Sequence, residues 1–162
     1  MLIELELVGV RVELPHNQPI VLLKEQTGYR FLPIWIGAPE ATSIAFALQG
    51  VAMPRPLTHD LLRNVLADLA VGVERIVVTE LREGTFYAEI ELVQNGKTVK
   101  VSSRPSDAIA LALRADCPIF VDAEVIKASR NTVPSEEEGG EESSAGEEEW
   151  PDVIGEAGDL PM

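Results

Sequence analysis

Two short stretches hold most of the side chains in this sequence that could do chemistry. Arg55-Pro56-Leu57-Thr58-His59-Asp60 and Arg104-Pro105-Ser106-Asp107 each set an arginine before a proline, then a hydroxyl, then an aspartate leading into an apolar-periodic run. A proline, a Ser or Thr cap and a first-turn aspartate are all suited to the start of a helix. Helix initiation accounts for Thr58, Ser106, Asp60 and Asp107 but leaves Arg55 and His59 in surplus, and Arg104 sets a second guanidinium beside the second start. Guanidinium groups meet phosphate oxygens in a planar, two-point contact, first-turn amides favour anions, and imidazole titrates near neutral pH. If both helix starts face one cleft, Arg55, Arg104, Thr58 and Ser106 are expected to bind phosphate.

A third helix start, Gly37-Ala38-Pro39-Glu40, adds a carboxylate. Glu40, Asp60 and Asp107 are the expected ligands of a Mg or Mn divalent cation, for which carboxylate oxygens are the proper donors. With His59 moving protons, the expected catalytic set is His59, Asp60, Asp107 and Glu40, and the reaction is metal-assisted hydrolysis of a phosphodiester. The same residues also read as caps and ion pairs of a non-catalytic, homo-oligomeric module that binds an anion or a protein partner. Neither His-Glu-x-x-His nor Cys-x-x-Cys occurs, so a metal site depends on tertiary proximity.

The elements that must position these groups follow from hydrophobic periodicity. Residues 3 to 14 alternate as a strand, but the apolar phase flips at Val8-Gly9, which predicts a bulge in one long strand. Ile20 to Leu23 and Tyr29 to Ile36 predict a hairpin, with His16 a turn residue in the loop before it. A helix from Gly37 ends at Gly50, and a second from about Asp60 to Ala70 is expected to bury Leu62, Val65, Leu66 and Leu69. Arg75 to Leu81, Thr85 to Val93 and the strand after Asn95-Gly96 predict a three-strand meander. The helix through Arg114 has Ser106 at its cap and is apolar nearly all round, which predicts burial. Pro118 to Val121 supplies a last strand, and Ala123 to Ala128 one short helical turn. The fold class is α+β: a mixed, largely antiparallel curved sheet of about seven strands packed with three helices, in the order βββααβββαβ.

Charge divides the chain into a domain, residues 1–133, and a tail, residues 134–162. The net charge is −14, of which the tail holds −11, with 11 acidic residues and no Lys or Arg; the first 133 residues carry only −3. Its Glu, Gly and Ser runs predict an acidic disordered tail, in which Trp150, Val153, Ile154 and Leu160 are isolated apolar residues. A nearly balanced domain is compatible with a nucleic-acid partner, and the tail with a competitor for it. No apolar run approaches the roughly 20 residues that span a bilayer, so no membrane span is expected. Cys117 is the single cysteine and sits beside a strand, where packing is expected of it, and the N-terminus lacks a basic leader. Both point to a reducing, cytoplasmic location.

Several motifs in order, Leu32-Pro33-Ile34-Trp35-Ile36-Gly37 with Glu40-Ala41, Pro54 to Leu61, Thr85-Phe86-Tyr87-Ala88, and Arg104 to Arg114 with Pro118-Ile119, closely resemble the bifunctional nuclease family. The likeness spans roughly residues 1 to 130. It implies DNase and RNase activity, and it differs at Ser102, where many family members show an aspartate. Sheet edges and the resemblance together lead to the expectation of a homo-oligomer, a dimer first.

Overall fold

The structure, a computed structural model, describes residues 1–13 and 17–130. His16 and the acidic segment therefore lie outside the described residues. The N-terminal strand β1 (Leu2–Glu13) pairs antiparallel with β2 (Gln18–Glu25), and the register slips between Leu7 and Gly9. The slip is the bulge that the change of apolar phase requires: Leu5 on one side of it and Val10 on the other both enter the core. β3 (Phe31–Trp35) completes the hairpin with Leu32 and Ile34 inward and Phe31 and Trp35 outward.

β4 (Gly72–Arg82), β5 (Thr85–Gln94) and β6 (Lys97–Ser103) form the second meander. Its turns place Glu83-Gly84 and Asn95-Gly96 at positive φ, the pattern of two-residue hairpin turns. β7 (Ile119–Asp122) lies antiparallel to β1 and parallel to β4, joining the two meanders in one seven-stranded sheet of order β3-β2-β1-β7-β4-β5-β6. This is the α+β, mixed and largely antiparallel architecture expected.

Four helices complete the fold: α1 (Ala38–Gln49), α2 (Thr58–Asp68), α3 (Pro105–Ala115) and α4 (Ala123–Arg130), the last longer than the single turn expected. α1 ends at Gly50, whose φ of 64° and ψ of 28° form the left-handed cap. α3 is the central helix, buried through Pro105, Ser106 and Ala108 to Ala112, and it packs on α1, α2, β4 and β5. The core joins its Ile109 and Leu111 to Val10, Leu23, Leu32, Ile44, Ile76, Val78 and Val121.

Helix α2 departs from expectation. It rests on α3, which its one buried residue, His59, meets at Asp107, and its Leu66 packs against the core. Leu62, Val65 and Leu69 are 38%, 45% and 62% exposed, and Leu61 is 54% exposed. The apolar periodicity was correct for a helix, but a polar side chain occupies the inward side and turns much of the stripe outward.

Candidate functional site

The first turns of α2 and α3 meet. Arg104 precedes Pro105 and is therefore confined to extended backbone; with φ −68° and ψ 143° it is the N-cap of α3. Leu57 holds the corresponding position in α2, also extended. Thr58 and Ser106 thus lie inside the helices rather than at the caps, and the backbone N–H of the α2 N-cap, Leu57, is met by the Asp60 carboxylate instead. Sequence reasoning set both caps one or two residues late because it weighted the hydroxyls over the backbone constraint before each helix.

His59 joins the helices. Its Nε2 lies 2.9 Å from Asp107 Oδ1, and its Nδ1 lies 2.6 Å from Ser43 Oγ on α1. A carboxylate can only accept, so Nε2 carries a proton; in the neutral ring Nδ1 then accepts from the Ser43 hydroxyl. If the ring becomes cationic, Nδ1–H donates to the same oxygen, so Ser43 serves either state by rotating its proton. Asp107 also accepts from Arg104 Nε at 2.9 Å, and Arg104 Nη2 donates to Glu40 Oε1 at 2.8 Å. A continuous polar chain therefore runs Ser43, His59, Asp107, Arg104, Glu40.

These bonds hold Asp107 and Arg104 in their charged forms. Burial pushes the Asp107 carboxyl up, but the hydrogen bonds from Arg104 and His59 outweigh it and hold the group below the usual carboxylate range. Arg104 is raised in turn by Asp107 and Glu40. Exposure peaks at Arg104: Ser43 and His59 are buried, the side chains of Asp107 and Arg104 are 29% and 64% exposed, and that of Glu40 is 15% exposed. Arg104 Nη1 has no protein partner among the described residues.

The chain lines a cleft of about 620 Å³ bounded by Pro39, Phe46, Leu57, Thr58 and Leu61. Of the expected site residues, Glu40, Thr58, His59, Arg104 and Asp107 line it. Asp60 faces elsewhere. Its carboxylate accepts from Arg114 Nε at 2.7 Å and from the Leu57 amide at 2.9 Å, bonds that hold it below the usual carboxylate range. Arg55 is exposed on the approach to α2, and Ser102 is exposed on β6; neither lines this cleft or the neighbouring one. Ser106 is buried at a second cleft of about 410 Å³, which shares Arg104 with the first.

Two members of the arrangement were missed in the sequence. Ser43 sits mid-helix with no spacing signal of its own. Arg114 reads as an ordinary last-turn cation, yet it joins three helices, bonding Asp60, the Ser43 carbonyl at 3.1 Å and the Ala110 carbonyl at 2.9 Å. No three His, Cys, Asp or Glu side chains among the described residues are grouped as metal ligands. Glu40 and Asp107 approach the same guanidinium, and a dication there would have to displace Arg104.

The profile of the bifunctional nuclease domain matches residues 21–134. The chain belongs to the bifunctional nuclease family. It is similar to an uncharacterized protein of Mycobacterium tuberculosis, 48% identical over 133 residues, which are 82% of this chain and 79% of that relative. It is 27% identical over 119 residues to "Bifunctional nuclease 1" of Oryza sativa subsp. indica, 72% of this chain and 36% of that protein. "Bifunctional nuclease 2" of Arabidopsis thaliana is 27% identical over 111 residues, 67% of this chain and 33% of its own length. The chain thus spans about a third of the plant relatives. Family membership supports a general nuclease role and the association with nucleic acid that such a role implies. No helix among the described residues is long and apolar enough to cross a membrane.

Proposed function

We propose that the chain hydrolyses phosphodiester bonds in DNA or RNA at the cleft where α2 meets α3. The observation that carries this reading is the ion-paired His59–Asp107–Arg104 chain opening into that cleft, in a member of the bifunctional nuclease family. Arg104 Nη1 is the donor for a phosphate oxygen. Asp107, kept ionised by its two donors, orients the attacking water and takes up its proton in a bond shared with His59 as the new P–O bond forms; the P–O bond to the leaving oxygen then breaks, and that proton passes to the leaving oxygen. Ser43 is a positioning residue that keeps the imidazole oriented in both protonation states.

With Arg104 in place the donor set is that of an anion site, so no step is routed through a metal. A requirement for Mg or Mn, with Glu40, Asp60 and Asp107 as its ligands, is tested by a chelator arm of the same assay. Cleavage of single- and double-stranded DNA and RNA is compared for wild type, His59→Gln and Asp107→Asn, with and without chelator. Loss of a positioned acid–base group is expected to slow cleavage by about 10²- to 10⁴-fold. Equal rates in all three preparations would assign the activity to a contaminant.

A second reading, a non-catalytic binding module, is favoured by the observation that Glu40, Asp60 and Asp107 are each already ion-paired. On that reading Arg104→Met weakens oligonucleotide binding and no cleavage occurs with any variant. The outward apolar residues of α2 further support assembly as a homo-oligomer, a dimer first. Light scattering of wild type against a Leu62→Lys, Val65→Lys double variant tests it, and an unchanged mass would remove α2 from the interface. The lone cysteine continues to favour a reducing, cytoplasmic location.

A further inference from the structure

The second cleft has a composition the proposed chemistry does not use. It lies where the end of β3, the Gly84-Thr85 turn and the start of α3 come together, and two aromatic residues line it: Trp35, and Phe86, which is partly buried against the core. Trp35 is 50% exposed, on the outward face of a strand whose inward residues are Leu32 and Ile34. A half-exposed indole beside a concavity offers a flat aromatic face to a ligand. Gln18 and Thr85 place an amide and a hydroxyl on the same walls, able to donate to or accept from a base edge. At about 410 Å³ the cleft falls within the size range of small-ligand sites.

Arg104 is the one residue that lines both clefts. Its guanidinium bonds Asp107 and Glu40, and the residue also borders the aromatic cleft. An unpaired nucleotide is the ligand that matches this succession: a flat base against Trp35, a phosphate at Arg104, and the next phosphodiester over Asp107. A base within a duplex has both faces covered by its neighbours and cannot enter the aromatic cleft without unstacking.

We propose that Trp35 and Phe86 form a base-stacking subsite that makes single-stranded nucleic acid the preferred substrate, with Arg104 holding the phosphate between this subsite and the hydrolytic cleft. The inference rests on the phosphodiester reading above and assigns the substrate form and a specificity residue to it.

The chain has two tryptophans, so Trp150→Phe leaves Trp35 as the sole indole reporter. In that background, a phosphorothioate (dT)10 strand, resistant to cleavage, is titrated against indole fluorescence and, with a terminal dye, against anisotropy. Saturable quenching of Trp35 is expected, with Trp35→Phe within about threefold of wild type. Stacking of one base is worth roughly 1–3 kcal/mol, so Trp35→Ala is expected to weaken single-strand binding about 5- to 150-fold. The matched duplex should bind more weakly and respond little to the same variant.

Anisotropy showing tight single-strand binding without any change in indole emission would overturn the subsite. So would equal loss of single-strand and duplex affinity in Trp35→Ala, which would leave backbone charge as the determinant. A Trp35→Ala variant whose mass in solution changes while its affinity does not would make this residue an interface between copies and likewise overturn the proposal. Cleavage of natural strands with KM unaltered by Trp35→Ala defeats the subsite alone, whereas wild type that neither binds nor cleaves any strand defeats the phosphodiester reading with it.

Discussion

Replacing Arg114 by methionine tests whether one guanidinium fixes the geometry of the site. Its side chain is 9% exposed and bonds the Asp60 carboxylate of α2, the Ser43 carbonyl of α1 and the Ala110 carbonyl of its own helix. Methionine preserves much of the stem packing and deletes all three bonds. Breaking a fully buried ion pair costs about 3–5 kcal/mol. The Asp60 side chain is 35% exposed and regains water on losing its partner, so the expected loss is smaller, roughly 2–3 kcal/mol. For a domain of this size that is a fall in Tm of about 4–12 °C. Asp60 is depressed in the folded state, so its contribution is present above the unfolded pKa near 3.9 and fades as pH falls through the lower folded value. Thermal unfolding followed by circular dichroism at neutral pH and again near pH 3 should show the gap between Arg114→Met and wild type narrowing in acid, without closing, because the carbonyl bonds persist. A Tm at neutral pH within 1 °C of wild type, or a gap indifferent to pH, refutes the reasoning; Asp60→Asn, combined with Arg114→Met in a cycle, isolates the pair.

Three further outcomes follow from the structure. Gly50→Ala places a side chain at φ 64° with open space around it, so conformational strain alone is expected to cost about 1 kcal/mol and a few degrees of Tm, where no change would contradict the left-handed cap. Burial pushes the Cys117 thiol up to about 11, so its alkylation by iodoacetamide at pH 7.5 should run roughly two orders of magnitude slower than in denaturant, and comparable rates would argue against the packing. Ending the chain after Thr132 removes 11 carboxylates and should tighten oligonucleotide binding at low salt, an effect that fades as salt rises; unchanged low-salt affinity discards competition by the acidic segment.

The sheet was readable because its signals are local. The phase change at Gly9 located the bulge, Asn95-Gly96 located a hairpin, and the all-round apolar pattern from Ala108 to Leu113 marked the central helix. The shared residue pattern of the α2 and α3 starts raised their meeting only as a condition, and it held nothing of the atomic form. Ser43 entered through its position on α1, fixed by packing and invisible to spacing. Asp60 and His59 are adjacent in sequence, yet the roughly 100° turn per helical residue directs them to different partners, Arg114 and Asp107. That rotation also explains α2: periodicity reports that a helix is amphipathic but not which neighbour its apolar side will find, and here the neighbour took His59.

The position of β7 bears on how the chain reaches this structure. Four residues near the end of the described chain, Ile119–Asp122, complete the centre of the sheet and connect a strand that begins at Leu2 with one that begins at Gly72. Until they arrive, β1 and β4 each present an open strand edge, and the two meanders have no sheet bond between them. Closure must therefore wait for nearly the whole domain, and its long-range pairings favour slow folding. A nascent or prematurely ended chain that stops within α3 would hold both edges open at once and would be prone to pair with other copies.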